Sequence, residues 1–465
     1  MSQNTSSHSK GCKDLNEWLY YLETLHNIEI DLGLSRIGQV AKRLNIDFSF
    51  ARVITVAGTN GKGTTCAFLE NALLEENFNE QALTVAVYSS PHIERFNERL
   101  RINKTDVDDH AFISAFEQIE LARTDISLSY YEFTTLAAFI ILMATKPNII
   151  ILEVGLGGRL DATNIIDADV AVVTTIDLDH QAFLGNDRET IGFEKAGIFR
   201  ANQHIVIGDS NAPNSVVKHA ERVNHSDTKA LSKQARNKIK IREQDFALVE
   251  QNIGENQDLW QWQTTNFDSS HMNSTYVDDD KICLKNLLNT HIPRDNVATA
   301  LMVLTQLGVT LTTDKVNRLI AKTKVAGRTE LFINNSVNGC DVMLDVGHNP
   351  HAGRYLVKKL TELKRQNKYQ RIIAVVAMLA DKDIKNTLQP FHEVIDDWYI
   401  APLILPRAAS VEVMARELAN FTKSVNCFDN ITQAFKIANE NVESTDLILV
   451  FGSFYTVAEI RRLLV

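Results

Sequence analysis

Apolar residues follow two spacings along the chain, and these spacings alternate. Short runs rich in β-branched residues, at 53–56, 149–154 and 170–176, are typical of strands that are buried on both faces of a sheet. Around them, apolar residues recur every three or four positions, as at 15–25 and 130–144, which predicts helices. Strands that alternate with helices predict an α/β fold with a mostly parallel sheet.

The alternation stops in the middle of the chain and then returns. A polar stretch at 209–285 interrupts it, with a hairpin predicted at 246–262. After a linker at 322–326, further strands are predicted at 342–345, 372–378, 398–401 and 447–451. A chain of 465 residues exceeds one comfortable hydrophobic core. We therefore predict a larger N-terminal α/β domain at 1–325 and a smaller Rossmann-like α/β domain at 326–465.

Composition narrows the class of protein. The net charge of −10 argues against nucleic acid as the main partner. The five cysteines are scattered without a C-x-x-C pair, which is typical of free thiols in a reducing cytoplasm. The sequence has no apolar run long enough to span a bilayer and no signal-peptide pattern at its polar N-terminus. We expect a cytoplasmic protein without a membrane partner.

A glycine-rich turn follows the first predicted strand. It comprises Gly58, Thr59, Asn60, Gly61, Lys62, Gly63 and Thr64, and a helical pattern begins directly after it. Backbone N–H groups at such a helix N-terminus favour a phosphate, so Lys62 would reach the outer phosphates and Thr64 would offer its hydroxyl to Mg²⁺. The usual P-loop has four residues between its first Gly and the Gly-Lys pair, whereas this turn has two. The alternative is an ordinary strand–helix turn.

Further candidate side chains follow other strands. Ser90 lies in a Ser-Ser-Pro-His string after a strand at 83–88, where ligands of α/β sheets bind, although a plain turn is the alternative. Glu153 is an acid inside an apolar strand, which indicates either a metal ligand or a salt bridge to an arginine. His180 ends an Asp-Leu-Asp-His string after the strand at 170–176.

Three other segments carry weaker signals. Residues 103–106 match the N-K-x-D string that reads guanine in GTPases, but no buried strand precedes them, so we predict a turn. The loop at 30–36 leads toward the nucleotide strand, and it either connects two helices or lines a substrate. Helical spacing alone places Lys195 on the surface of a helix at 188–199.

Together these motifs resemble a known family. The strings are Gly58 to Thr64, the Ser-Ser-Pro-His string, E-V-G-L-G-G-R-L-D-A-T-N at 153–164, D-L-D-H at 177–180, E-K-A-G-I at 194–198, D-V-G-H-N-P at 345–350 and G-S-F-Y at 452–455. In this order they resemble the folylpolyglutamate synthase family, which is related to the Mur ligases, and most closely its bacterial bifunctional dihydrofolate synthase/folylpolyglutamate synthases. The shortened P-loop is this family's own form.

The resemblance implies an ATP-dependent ligase. ATP would phosphorylate the carboxylate of dihydropteroate or of a reduced folate, and the amine of L-glutamate would attack the resulting acyl phosphate. Bringing two dense negative charges together makes catalysis largely a matter of positioning and electrostatics. A monomer is expected.

The resemblance also implies site residues. The ATP-binding set is Gly58, Thr59, Asn60, Gly61, Lys62, Gly63, Thr64, Thr65, Asn296, Arg328 and Asp345. Lys62, His180 and Lys195 would be catalytic, and Lys195 would carry a carbamate. Under the same resemblance, two Mg²⁺ ions would be held by Thr64, Ser90, Glu153, His180 and Lys195. Asp31, Leu32, Gly33, Ser129, Tyr131 and Asp161 would bind the pterin, and His348 and Ser453 the glutamate.

Two alternatives and two departures remain open. A Mur-type ligase of cell-wall synthesis would share most motifs but usually carries an additional N-terminal domain. A P-loop nucleotide switch would leave Glu153, His180 and the second domain without a role. Ala380 stands where the family commonly has a histidine, and the polar stretch at 209–285 is longer than in the usual bacterial members.

Overall fold

The structure is a computed structural model that describes residues 12, 14–28, 30–78, 81–224, 238–252, 258–264, 282–289, 291–336, 338–422 and 424–465. The chain divides into two compact units. The first comprises Met1–Pro91, Phe96–Ile176 and Arg188–Lys322, and the second comprises His92–Arg95, Asp177–Asp187 and Thr323–Val465. The division after Lys322 lies close to the predicted boundary at 325, whereas the two short N-terminal segments of the second unit were not predicted.

The helices of the first unit are α1 (Leu15–Leu25), α2 (Ser35–Arg43), α3 (Lys62–Leu73), α4 (Asp109–Arg123), α5 (Tyr130–Thr145), α7 (Arg188–Ala196), α8 (Asn214–Val223), α9 (Arg294–Gln306) and α10 (Thr313–Lys322). Helix α6 (Gln181–Leu184) belongs to the second unit. Several helices begin with side-chain caps that the sequence supplies. Ser129 and Glu132 form a reciprocal capping box at the start of α5, which satisfies backbone N–H groups that have no partner within the helix.

The strands of the first unit are β1 (Arg52–Ala57), β2 (Asn77–Phe78), β3 (Gln81–Ala82), β4 (Val85–Tyr88), β5 (Leu100–Ile102), β6 (Thr105–Asp106), β7 (Ile149–Glu153), β8 (Val170–Val173), β9 (His204–Ile207), β10 (Ile239–Ile241), β11 (Phe246–Asn252), β12 (Asp258–Thr264) and β13 (Cys283–Leu287). Eight of them form one sheet in the order β10-β9-β8-β1-β7-β4-β5-β6. The pairs from β10 to β4 are parallel, and β5 and β6 add an antiparallel edge.

The sheet order places the glycine-rich turn at its centre. Strand β1 lies between β7 and β8, so the residues that follow these three strands meet at one edge of the sheet. On one face, apolar residues of α1, α2, α4 and α5 pack over the sheet in a core that includes Trp18, Phe112, Phe116, Phe133 and Phe139. This core fixes the strands that present the predicted site.

The polar stretch contains a separate antiparallel sheet. Strands β11 and β12 pair as the predicted hairpin, and β13 extends it to three strands. Residues 225–237, 253–257 and 265–281 of the stretch lie outside the described residues. The guanine-like string at 103–106 forms the turn that we predicted: Asn103 (φ 50°) and Lys104 (φ 68°) are the two central residues between β5 and β6.

The second unit contains one sheet covered on both faces. Its strands are β14 (Glu330–Phe332), β15 (Asp341–Asp345), β16 (Ile372–Val376), β17 (Asp397–Ile400), β18 (Val425–Cys427) and β19 (Leu447–Phe451), in the order β14-β15-β19-β16-β17-β18. Only β14 is antiparallel among these strands. The covering helices are α11 (Pro350–Arg365), α12 (Ile384–Leu388), α13 (Val411–Leu418), α14 (Ile431–Glu440) and α15 (Phe454–Leu464).

The predicted α/β class with parallel sheets is confirmed in both units, and the eight strands predicted on either side of the polar stretch, at 53–56, 83–88, 149–154, 170–176, 342–345, 372–378, 398–401 and 447–451, are present. The strands that were not predicted are all short and include the two edge strands of the second unit; they are β2, β3, β5, β6, β9, β10, β13, β14 and β18. Within the described part of the chain, no helix combines the length and the apolar character that crossing a bilayer requires.

Candidate active site

The glycine-rich turn has the geometry of a phosphate-binding loop. Gly61 has φ +87° and is the N-cap of α3, so the helix starts directly from a left-handed residue. A Cβ on Gly61 would lie 2.3 Å from Asn296 Oδ1, and a Cβ on Gly58 would lie 1.9 Å from Thr174 Oγ1. Both positions therefore require glycine, and the turn is packed against its neighbours rather than open.

Two threonines after β8 hold the turn from the adjacent strand. The hydroxyls of Thr174 and Thr175 both donate to the carbonyl oxygen of Asn60, at 2.7 and 3.0 Å. The backbone N–H of Thr59 donates to the carbonyl of Thr175 at 2.6 Å. Sequence reasoning missed this pair, although two hydroxyls at a strand end beside a P-loop are a signal that could have been used. They keep the Asn60 carbonyl turned toward β8.

Lys62 lies back over the turn that precedes it. Its Nζ donates to the carbonyl of Gly58 at 3.0 Å and to that of Thr59 at 3.4 Å. The ammonium group is thus held at the glycine-rich turn by two of its backbone carbonyl oxygens. This arrangement suits a lysine that neutralises phosphate charge.

Thr64 and Asn296 form a contact between α3 and α9. Asn296 Nδ2 donates to Thr64 Oγ1 at 2.6 Å, and Thr64 Oγ1 donates to the carbonyl of Gly61 at 3.0 Å. One lone pair of the Thr64 oxygen stays available for a cation. The structure therefore brings Asn296, which is far away in sequence, to the predicted ATP-binding turn.

Glu153 ends β7 beside the start of α3. The residue is only 5% exposed, and a Cβ on Gly63 would lie 3.6 Å from its Oε2. The Glu153 carboxylate therefore lies against the first turn of the helix. Thr65, the last residue of the predicted ATP-binding run, is buried in that same turn.

The loop at 155–164 packs directly against the end of α7. A Cβ on Gly158 would lie 2.7 Å from the carbonyl oxygen of Lys195, and a Cβ on Gly197 would lie 2.3 Å from Arg159 Cβ. Asn164 Nδ2 donates to the carbonyls of Arg159 and Gly197. Two of the strings that carry the family resemblance, at 153–164 and 194–198, are therefore two sides of one packed contact.

Lys195 is buried, with 4% of its surface exposed. The expectation of a surface lysine, which rested on helical spacing, is wrong, because the loop at 155–164 covers this turn of α7. Its neighbour Glu194 is the residue that faces outward, and it pairs with Arg159 at 3.0 Å. A buried lysine is the type of site at which an ammonium group loses its charge readily.

Asp161 organises the loop rather than presenting a free carboxylate. Its Oδ1 accepts from the N–H of Thr163 at 3.0 Å and from the Thr163 hydroxyl at 2.7 Å, and its Oδ2 accepts from the N–H of Leu156 at 2.8 Å. Burial raises the pKa of Asp161 despite these hydrogen bonds. A bound pterin would therefore share a carboxylate that already has partners.

The remaining predicted pterin residues lie on α5 and on the loop before α2. The rings of Tyr131 and Tyr88 stack with their centroids 6.4 Å apart, and burial raises the pKa of Tyr131 well above its ordinary value. A Cβ on Gly155 would lie 2.6 Å from the Tyr131 ring, which places the tyrosine over the loop that follows Glu153. Ser90 lies near the Tyr131 hydroxyl, which is buried without a hydrogen-bond partner among the described residues. Arg36 pairs with both Asp31 and Glu132, so Asp31 lies near the N-terminus of α5, where Ser129 is the N-cap. Leu32 and Gly33 follow Asp31 in the same loop.

In the second unit, Asp345 ends β15 as a buried acceptor. Its two oxygens accept from the N–H groups of Thr329 at 2.8 Å and Gly347 at 2.7 Å. Burial raises the pKa of Asp345, while the nearby Arg328 opposes that shift. The Arg328 guanidinium lies 4.9 Å above the ring of Phe454, so both predicted ATP-binding residues of this unit are held in fixed positions.

A charged cluster occupies the strand ends of the second unit. Asp179 accepts from Lys382 Nζ at 2.8 Å and from Asn349 Nδ2 at 3.0 Å, and its Oδ2 lies 3.6 Å from His348 Nε2. Burial acts to raise the pKa of Asp179, but the hydrogen bond and charge of His348, together with Lys382, hold that pKa well below its ordinary value. Sequence reasoning named His348 but missed Asp179 and Lys382 as its partners.

Two other predicted residues belong to this unit. Ser453 caps α15 by accepting from the N–H of Thr456 at 3.0 Å, directly after β19, which pairs with β15. His180 adopts a left-handed conformation (φ +49°) at the start of α6. Ser453 thus lies at the carboxyl end of a strand, where ligands of parallel sheets bind. His180 lies in the short segment Asp177–Asp187, which belongs to this unit.

The donor set fits a hard divalent cation in part. Carboxylate and hydroxyl oxygens of Glu153, Ser90 and Thr64 are the ligands that Mg²⁺ prefers, whereas the His180 imidazole and the unmodified Lys195 ammonium are not. In the part of the chain that the structure describes, no three His, Cys, Asp or Glu side chains converge as a metal site. The predicted set contains two residues of those types, Glu153 and His180.

Comparison with known proteins identifies the family. The family model "Mur ligase middle domain" matches residues 56–275, and the model "Mur ligase, glutamate ligase domain" matches residues 327–454. The dihydrofolate synthase/folylpolyglutamate synthase of Escherichia coli strain K12 is 40% identical over 97% of this chain and 95% of its own length. That of Haemophilus influenzae is 39% identical over 97% of each chain.

Solved structures agree with this assignment. Escherichia coli FolC in complex with DHPP and ADP superimposes with a TM-score of 0.82 at 38% identity, over 97% of this chain and 98% of that chain. A bifunctional folylpolyglutamate synthase/dihydrofolate synthase with Mn, AMPPNP and L-glutamate bound gives a TM-score of 0.80 at 38% identity, with the same shares covered. The resemblance seen in the motifs is confirmed, and the chain belongs to the dihydrofolate synthase/folylpolyglutamate synthase family, whose two domains are those of the Mur ligases.

Proposed function

We propose that this chain is an ATP-dependent ligase that adds L-glutamate to dihydropteroate and then to reduced folates. The observation that carries the proposal is the packed P-loop beside the buried Glu153 carboxylate, in a chain whose full-length relatives are dihydrofolate synthase/folylpolyglutamate synthases. In the first step the acid's carboxylate attacks the γ-phosphorus of ATP, releasing ADP and forming an acyl phosphate. In the second step the glutamate amine attacks the acyl carbon, releasing phosphate and a proton.

The residues of the P-loop act by position and charge. Backbone N–H groups of residues 58–65 bind the phosphates at the positive end of α3, and Lys62 offsets the charge that develops between γ-phosphate and carboxylate. Asn296 fixes the Thr64 hydroxyl through the 2.6 Å hydrogen bond. The nucleotide is ATP, in line with relatives that hold ADP or AMPPNP.

A divalent cation, Mg²⁺ in the cell, supplies charge neutralisation and orients the phosphates when bound. We propose that Thr64, Ser90, Glu153 and His180 hold the first ion. A carbamate on the buried Lys195 would hold a second ion through its two oxygens. Formation of that carbamate joins the lysine nitrogen to the carbon of CO₂ and releases two protons from the ammonium form, which turns a cation into an anion.

The proposed substrate-binding residues are divided between the two units. Asp31, Leu32, Gly33, Ser129, Tyr131 and Asp161 are the proposed pterin residues. From the second unit, Arg328 and Asp345 are proposed ATP-binding residues, and His348 and Ser453 are proposed glutamate-binding residues, with residues 326–465 as the glutamate ligase domain. A relative with L-glutamate bound supports a glutamate site in the family. We further propose that the chain acts as a monomer in the cytoplasm.

The test is a phosphate-release assay with ATP and Mg²⁺ against three acceptors. Dihydropteroate with glutamate and tetrahydrofolate with glutamate should each support turnover, whereas a muramyl precursor should not. Activity with folate alone would reduce the function to polyglutamylation, and activity with the muramyl precursor would favour a Mur-type ligase. Omission of Mg²⁺ should abolish phosphate release with either pterin acid.

A further inference from the structure

The loop between α1 and α2 is fixed by a chain of polar contacts that starts at His26. His26 Nδ1 lies 2.7 Å from Ser127 Oγ, and its Nε2 lies 3.1 Å from Asp31 Oδ2. A carboxylate can only accept, so Nε2 carries a proton and donates it to Asp31. Nδ1 and the Ser127 hydroxyl are hydrogen-bond partners on the opposite side of the ring.

Arg36 holds the same aspartate from the other side. Its Nη1 lies 2.6 Å from Asp31 Oδ2, and its Nη2 donates to the Asp31 carbonyl at 2.8 Å. The guanidinium also pairs with Glu132, the capping-box residue of α5, at 3.3 Å. Asp31 is thereby attached through His26 to the residues before α5 and through Arg36 to α5 itself.

The anchored aspartate precedes a short apolar stretch that faces open space. Residues 32–34 are half-buried, and no heavy atom of the described residues lies within 4 Å of a Cβ placed on Gly33. A backbone with a glycine at an open position lets a flat ring approach closely. Without an anchor, a nine-residue loop of this kind would sample many conformations before it could bind a ligand.

We propose that His26 is a positioning residue that orders the loop at 31–33 and thereby sets the affinity for the pterin-bearing acid. This inference rests on the proposed function, in which the loop binds the pterin. Because His26 acts through Asp31 and Ser127, it should affect the acid substrate and leave ATP and glutamate unaffected. It is not a catalytic residue, since it holds the loop rather than the reacting atoms.

The first experiment compares Michaelis constants. His26→Phe keeps a ring of similar size but removes both hydrogen bonds. The KM for dihydropteroate should rise about 5- to 10-fold, which corresponds to one or two ordinary hydrogen bonds, while the KM for ATP and for glutamate and kcat at saturating acid stay near wild type. Ser127→Ala should cause a smaller rise, and His26→Gln, which keeps one N–H donor, should recover part of the loss.

A matched control is His204→Phe. His204 is also half-buried in the first unit and its Nδ1 lies 3.0 Å from Gln306 Oε1, but it begins β9, at the edge of the sheet opposite the P-loop. The control should leave all three KM values unchanged. Equal rises in the three constants for His26→Phe, or an unchanged KM for dihydropteroate, would overturn the proposal.

Amide hydrogen exchange of the protein without substrate provides a readout that is independent of activity. Residues 30–34 should exchange faster in His26→Phe than in wild type and in His204→Phe. Unchanged protection of the loop would overturn the ordering role. Absence of any dihydropteroate-dependent turnover in wild type would instead count against the proposed function, and the exchange result would still decide whether His26 orders the loop.

Discussion

The ligand ends of the two sheets are built by different means. In the first unit the P-loop is held by backbone geometry: two threonine hydroxyls meet one carbonyl oxygen, and glycines fill the positions where a Cβ would collide. In the second unit the strand ends are held by buried charge, with Asp179 between Lys382 and His348. Removal of one hydrogen bond from the P-loop should therefore lower stability only slightly. Removal of one partner from the charged cluster leaves an uncompensated charge in the interior, which lowers stability more.

This difference also decides what each region tolerates. The P-loop depends on small residues at a few positions, and its charged group, the Lys62 ammonium, interacts with the ligand rather than stabilising the fold. A charge-built site depends on every partner, because the burial that acts against the Asp179 carboxylate is offset by its cationic neighbours together with the hydrogen bond from Asn349. Substitutions that remove one group from each region should therefore differ in whether they affect stability or turnover.

The largest effect on stability is expected for Lys382→Met. The side chains of Lys382 and Asp179 are 6% and 10% exposed, so loss of the ammonium leaves a buried carboxylate without its main counter-charge. We expect a decrease of about 3–5 kcal/mol in the free energy of unfolding at neutral pH, measured by urea denaturation. The double variant Lys382→Met/Asp179→Asn should recover a large part of the loss. A single variant as stable as wild type would show that the cluster is not held by charge.

In the P-loop, by contrast, Lys62→Ala should change turnover and leave the fold intact. Loss of the ammonium above the phosphate-binding turn removes charge stabilisation from the transition state, and we expect kcat to fall by about 10²- to 10³-fold. The free energy of unfolding should stay within about 0.5 kcal/mol of wild type. Lys42→Ala, on the exposed side of α2, is the matched control. Near-normal kcat in Lys62→Ala would exclude the phosphate role.

Lys195 combines features of both regions, because it is buried as Lys382 is and lies near the P-loop strands. If it carries the proposed carbamate, Lys195→Ala should lower kcat by at least about 10²-fold at saturating Mg²⁺ and ATP, since a ligand oxygen pair is lost. A short carboxylic acid added to the variant should restore part of the turnover. Glu194→Gln, which removes only the outward pair with Arg159, should leave kcat unchanged and cost at most about 0.5 kcal/mol. Wild-type turnover in Lys195→Ala would remove the basis for the second metal.

The features that could be predicted from the sequence are those that local patterns determine, whereas contacts between distant residues could not be predicted. The P-loop, both parallel sheets and the hairpin were predictable, because glycines and apolar periodicity are local signals. Burial of Lys195 was not, since it depends on a loop some forty residues earlier that packs over α7 through Gly158. The partnership of Asp179 with Lys382 joins positions 203 residues apart, and no local pattern encodes it. The strings at 153–164 and 194–198 resemble those of the family and form one packed contact. Their spacing in the sequence, however, does not say which residues meet.

The smallest predicted effect concerns the hydroxyls that hold the P-loop. Thr175→Val keeps the shape of the side chain but removes the donor to the Asn60 carbonyl, and Thr174→Val removes the second donor. Each loss corresponds to one ordinary hydrogen bond, so the KM for ATP should rise about 5-fold per substitution, with the double variant weaker than either. The dissociation constant for ADP, measured by calorimetry, should follow the same order.

Thr175→Ser keeps the hydroxyl and should resemble wild type, which separates the hydrogen bond from the methyl group. If the valine and serine variants bind ADP equally well, the turn keeps its geometry without help from β8. The glycines alone would then account for the P-loop, and the contrast with the charged cluster would be sharper still.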